Sequence, residues 1–216
     1  MPEQFAEQLS ATTLPGYPKK LPIRFQQWNI QFAETPQTST TNELYGWRFE
    51  SEDGSKILQF RRNGIGFGIV RGYTDSNEIK SLTRDFWTVF LEKVGQPVVN
   101  RLATRYINVI DVPITGNFDD YLTASPRMPE NLPQKVRQFL VRLEVPFSVD
   151  VVAVIIQTLD IASSTHLPLI LDIDVQMHKQ MPGDSPDVWK ALDTLREIKN
   201  DVFFSSVTEQ ALEPYE

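Results

Sequence analysis

The sequence predicts an α+β fold: a mostly antiparallel sheet of about seven or eight strands in two similar halves, each followed by a long amphipathic helix packed on the sheet. Extended runs rich in aromatic and β-branched residues are joined at Asp53-Gly54 and Asn63-Gly64, dipeptides suited to tight hairpins. After each set of strands the apolar period lengthens from about two residues to about 3.6. Apolar residues make up 41% of the chain, enough to bury a sizeable core in 216 residues.

Residues 1–20, punctuated by Pro2, Pro15, Gly16 and Pro18, read as an N-terminal arm. Residues 21–216 read as a single α+β domain with halves at 21–113 and 133–216. Residues 21–32 give the first strand and 34–43 a polar loop. Residues 45–52, 55–62 and 65–73 form an antiparallel meander whose turns use the positive φ of type I′ hairpins. Ile79, Leu82, Phe86, Val89, Phe90 and Val94 share one face of a helix over 76–94. Asp75 is its N-cap, Glu78 lies three residues on, and Gly95 followed by Pro97 stops it. A strand at 99–112 completes the first half.

Pro126, Pro129 and Pro133 mark residues 117–133 as a connector with one helical turn at 118–122. Strands follow at 136–146, 147–159 and 167–177. Ser185 then caps a helix with Pro186 in its first position, and Leu192, Leu195, Ile198 and Val202 form its stripe. Ser206 and Glu209 read as the capping box of a last short helix.

The chain has no cysteine, which excludes disulfides, thiolate metal sites and a cysteine nucleophile. The acidic opening lacks a signal-peptide pattern, and the apolar run at 151–156 is far short of the ~20 residues that span a bilayer. A cytoplasmic protein with no membrane partner is expected. The net charge of −7 argues against non-specific nucleic-acid binding. Residues 1–113 hold 13 Lys and Arg against 12 Asp and Glu, whereas residues 114–216 hold 8 against 16. An anionic ligand therefore belongs to the first half.

Arg105-Tyr106-Ile107-Asn108, Leu171-Asp172-Ile173-Asp174 and the closing pattern Leu195, Lys199, Phe203 and Thr208 carry a resemblance over most of the chain. With the opening strand near Pro22-Ile23, the chain resembles a sporadically distributed family of uncharacterised bacterial and archaeal proteins. Val207 stands where the family has Ile. The resemblance implies no activity, substrate or catalytic residue.

Several constellations invite chemistry. Gly64, Gly66 and Gly68 alternate, but they open a hairpin strand rather than a strand-to-helix phosphate loop, so a bulge or close approach is the expected reason for them. Arg101 and Arg105 share a strand face, with Arg61, Arg62 and Arg71 on the neighbouring meander. Arg101, Arg105 and Arg71 are the anion-binding candidates, while Glu50, Glu52 and Asp111 offer a charge network instead. Trp28, Trp47, Trp87 and Trp189 read as core more readily than as a base-stacking cleft. His166, in a loop before Leu167-Pro168, and His178 have no serine elbow to serve.

Asp172, Asp174, Gln176 and His178 alternate on one strand, with Leu171, Ile173, Val175 and Met177 on its other face. Asp172 and His178 lie roughly 20 Å apart on a straight strand, too far to share an ion. Asp172 and Asp174, about 6–7 Å apart, are metal candidates only with a third carboxylate. A wet strand face explains the alternation without a metal.

No catalytic residue, metal or cofactor is selected by the sequence. The leading expectation is a non-catalytic binding or interaction protein, with a protein partner or an anionic ligand. The alternatives are a carboxylate and metal-dependent hydrolase or nucleotide-processing enzyme, and a protein enclosing an apolar small molecule between sheet and helices.

Overall fold

The computed structural model describes residues 14–31, 37–73, 75–134, 136–160 and 166–215. They form an α+β fold of mostly antiparallel strands in two four-stranded sheets, with a helix packed on each. The chain divides into two compact units, Met1–Pro97 and Val98–Glu216. The arm over residues 1–13 and the loop at 34–36 fall outside the described residues.

In the first unit, β1 (Lys19–Gln31), β2 (Gln37–Glu50), β3 (Lys56–Arg61) and β4 (Gly64–Ile69) pair in sequence order. Much of the segment expected as a polar loop is strand, because β2 pairs with β1 from Gln37 onward. Its Thr40–Glu43 stretch is exposed and polar, so no apolar alternation announces it. The arm also ends early: Tyr17 is buried in the first core, edge-on to Phe86 at 5.3 Å.

Both hairpins fall at the expected places, with different turn chemistry. Gly54 (φ 70°) and Gly64 (φ 144°) have positive φ, whereas no non-glycine residue among the described residues does. Type I′ turns, which need positive φ at both central residues, are therefore absent from these hairpins. Asp53 closes its own turn instead, its Oδ1 accepting from the Ser51 hydroxyl, the Ser55 hydroxyl and the Ser55 N–H.

Helix α1 (Ser76–Val94) has the expected ends: Asp75 accepts from the N–H groups of Asn77 and Glu78, and the Gly95 N–H donates to Leu91. The Glu78 carboxylate is taken by Lys56 at 2.6 Å. Phe86 and Phe90 are its buried rings, with Leu82, Val89 and Val94 partly buried beside Phe49, Leu58 and Phe60.

In the second unit, β5 (Val98–Val99) pairs with β10 (Met181–Pro182). The main sheet runs β6-β9-β8-β7, built from β6 (Leu102–Pro113), β7 (Leu140–Pro146), β8 (Val151–Leu159) and β9 (His166–Met177). This moves the expected strand at 99–112 out of the first half. It breaks at Asn100 and Arg101, and its main part pairs with β9. His166 opens β9 opposite Pro113 rather than lying in a loop.

Helix α2 (Asp187–Ser206) packs on β6 and β9. Pro186 precedes it without a side-chain cap bond, and Ser185 accepts from the Asp187 N–H at 3.2 Å. Ser206 ends α2, its hydroxyl donating to Val202, so it does not cap the next helix. Thr208 caps α3 (Glu209–Leu212) through the Ala211 N–H. Among the described residues, no helix is long and apolar enough to cross a membrane.

Candidate functional site

The central strand of the second sheet, β9, is flanked by β6 and β8, so its backbone is paired on both edges. Leu169, Leu171, Ile173 and Val175 are fully buried in the core beneath α2. Alternation sends Asp172, Asp174 and Gln176 to the opposite face. There Asp172 stands between Ile107 and Ile156, and Asp174 between Arg105 and Val154.

The two short motifs of the sequence are register partners. Arg105 faces Asp174, Tyr106 faces Ile173, Ile107 faces Asp172 and Asn108 faces Leu171. Arg105 reaches diagonally to Asp172, with Nε 2.9 Å from Oδ1 and Nη2 2.5 Å from Oδ2. The guanidinium is half exposed while the Asp172 carboxylate is only 9% exposed. Arg105 therefore both neutralises the acid and shields it from water. Asn108 donates to the Leu171 carbonyl at 3.0 Å.

Arg101, just outside β6, donates to Gln176 at 3.2 Å and lies 3.7 Å from Asp174. Gln176 in turn donates to Asp174 Oδ2 at 2.8 Å, while Asp174 Oδ1 is buried with no hydrogen-bond partner among the described residues. Two guanidinium groups thus face two carboxylates, and their charges compensate. The structure brings Arg101 and Arg105 together with both metal candidates. Arg71 belongs to the first unit, where it donates to the Asp53 carbonyl at 3.1 Å. The meander carrying Arg61, Arg62 and Arg71 is a separate sheet and does not neighbour β6 in strand order.

For a cation, the partners of Asp172 and Asp174 on adjacent strands are two isoleucines, a valine and an arginine. None is a third carboxylate, and Arg105 occupies both oxygens of Asp172. Among the described residues, no three His, Cys, Asp or Glu side chains are grouped to hold a metal. His178 lies beyond the end of β9, 3.3 Å from Gln176.

The buried Lys199 on α2 is absent from the residues singled out for chemistry. Its Nζ sits 3.9 Å from the centroid of Tyr106, and the residue is 9% exposed. Burial, and secondarily Arg196, lowers its pKa, while the ring face favours the charged form. Its spacing from Leu195 and Val202 places it on the apolar stripe and could have revealed it.

In the first unit, a groove of about 700 Å³ is lined by Asp53, Ser55, Lys56, Arg71, Gly72 and Glu78. Its two cations are offset by two carboxylates. The alternating glycines lie elsewhere, on β4, where a Cβ at Gly66 or Gly68 would meet nothing within 4 Å among the described residues. The close approach is at Gly46, where a Cβ would come 2.0 Å from the Phe60 carbonyl oxygen. The β1–β2 register slips beside it, skipping Tyr45. Trp47 packs under Lys20 and Trp87 stacks on Phe90 at 5.1 Å, both against the first core. The Trp28 side chain lies outside the described residues.

No family model matches the chain, and no curated protein or solved structure gives a significant match.

Proposed function

We propose that this protein is a non-catalytic binding protein whose docking surface is the face of β6 and β9 opposite α2. One contrast carries the reading. Beneath α2, Leu169, Leu171, Ile173, Val175 and Leu195 are all 0% exposed, leaving no room for a ligand among them. Across the same strands, Ile107 and Val109 remain 59% and 51% exposed beside the Arg105–Asp172 pair. Exposed β-branched side chains next to a half-exposed arginine suit a macromolecular contact, where apolar area and arginine are both used.

The enzyme reading loses both of its candidate acids, since Asp172 is held by Arg105 and Asp174 is approached by Arg101 and Gln176. The anionic-ligand reading meets the same compensation of charge.

A photo-crosslinking amino acid at position 107 tests the proposal in the source cell. The expected result is a discrete adduct to a partner protein that is lost when Val109→Asp is added. Absence of any adduct, together with turnover of a substrate by the purified chain, would overturn it.

A further inference from the structure

The outer strand of the second sheet, β7, has a face and an edge that no described element covers. It lies at the end of the strand order, and six of its seven residues are exposed. Leu140 is 70%, Leu143 48% and Val145 36% exposed. An edge of this length with apolar side chains is a template for another strand.

The backbone parity of β7 follows from two hydrogen bonds. The Phe147 N–H donates to Val151, just beyond the β7–β8 register, and the Asp160 N–H donates to Pro168, just beyond the β8–β9 register. Bonded pairs recur at every second residue of an antiparallel ladder. Val141, Leu143 and Val145 therefore bond inward to β8. Leu140, Arg142 and Glu144 turn both backbone groups outward, and Pro146, which has no N–H to offer, turns out its carbonyl. Both hydrogen bonds give the same parity.

We propose that β7 pairs antiparallel with β7 of a second copy of this chain, about a two-fold axis through Leu143. The sequence Leu140-Val141-Arg142-Leu143-Glu144-Val145-Pro146 is self-complementary about that residue. Arg142 of each copy meets Glu144 of the other and exchanges both backbone hydrogen bonds with it. Val141 meets Val145, and the two Leu143 side chains meet at the close-approach pair on the axis. An axis through Arg142 or Glu144 would set that residue's charge against itself. Axes through Val141 or Val145 would pair only three residues of the strand, so ladder length and charge together select the Leu143 register, and Pro146 limits extension of the ladder at each end.

Arg142 and Glu144 already share one face of the strand, 3.2 Å apart and both more than half exposed. The same pair is thus available to a strand arriving from outside. The two sheets would join as one isologous eight-stranded sheet. This interface is separate from the β6–β9 face and does not depend on it.

Sedimentation velocity on the full chain tests the pairing. The wild type is expected to dimerise reversibly. Arg142→Glu and Glu144→Arg should each weaken self-association by about tenfold or more, since like charges then oppose each other at two positions. Mixing the two variants should restore a dimer, as should combining both substitutions in one chain. Both side chains are exposed, so unchanged circular dichroism is expected in each variant. A wild type that stays monomeric at its highest soluble concentration overturns the proposal. So does a dimer indifferent to both substitutions, or one not restored by mixing. Binding of an unrelated strand peptide to a persistently monomeric chain would reassign the edge to another partner.

Discussion

In the first unit, a four-stranded sheet and α1 close around aromatic rings, whereas in the second an equal number of main-sheet strands and α2 close around aliphatic side chains. Phe60 stacks parallel to Phe90 at 6.3 Å and takes Phe49 edge-on at 5.9 Å. The second core is built from Leu169, Leu171, Ile173, Val175 and Leu195, all fully buried. Rings demand particular mutual angles, so the first core is specified by a few large side chains. Aliphatic residues on a strand flanked on both edges specify the second through register. That register also fixes which charges meet on the opposite face, and so sets the candidate site.

The largest expected effects separate the cores. Phe90→Ala should cost about 3–5 kcal/mol and Leu195→Ala about 2–5 kcal/mol. Hydrogen exchange resolved by strand checks whether the cores are distinct. Phe90→Ala should lower protection in β3 and leave β9 unchanged, with the converse for Leu195→Ala. Equal losses in both strands would break the distinction.

Backbone crowding gives the next contrast. Gly46→Ala forces a Cβ against the Phe60 carbonyl and should cost about 3 kcal/mol. Gly66→Ala faces open space and should stay within about 0.5 kcal/mol of wild type. Urea unfolding of both variants measures the difference, and equal costs would show that the local crowding relaxes.

Arg105→Ala leaves the Asp172 carboxylate without two charge-assisted bonds. A loss of about 1–2 kcal/mol is expected, moderated because the guanidinium is half exposed. Arg105→Ala combined with Asp172→Asn should recover part of it in the same denaturation assay. No recovery would mean that the arginine contributes through packing alone.

The smallest effect is the pH dependence due to Lys199. Its pKa is lowered in the folded chain, so the unfolded state binds more protons between the folded value and the unfolded value near 10.4. Stability due to this group should rise with pH through that window and level off below the folded value, where both states are protonated. Lys199→Met should flatten the rise in urea midpoint between neutral pH and about pH 10. A rise of the same size in both proteins would assign it to other groups.

Local features are legible in the sequence. The hairpins at Gly54 and Gly64 and the ends of α1 at Asp75 and Gly95 all fall where a few neighbouring residues dictate them. The polar part of β2 is not legible, because its partner strand rather than its own pattern makes it a strand. The location of β6 in the second sheet is hidden for the same reason, since Leu102 pairs with Met177 and Pro113 with His166. At the site, alternation places Asp172 and Asp174 on one face, and charge type marks Arg101 and Arg105. That the arginines neutralise those carboxylates depends on a register joining Arg105 to an aspartate 67 residues away, which no local pattern encodes.

Native mass spectrometry of the chain purified from its source cell tests most directly whether the protein works through its surfaces or through an enclosed ligand. The closed core beneath α2 predicts peaks at the mass of the polypeptide, its multiples or its complex with another protein, with no small molecule released on denaturation. A stoichiometric small-molecule adduct released on unfolding and lost in a Leu195→Trp variant would place a ligand inside the second core and contradict the account.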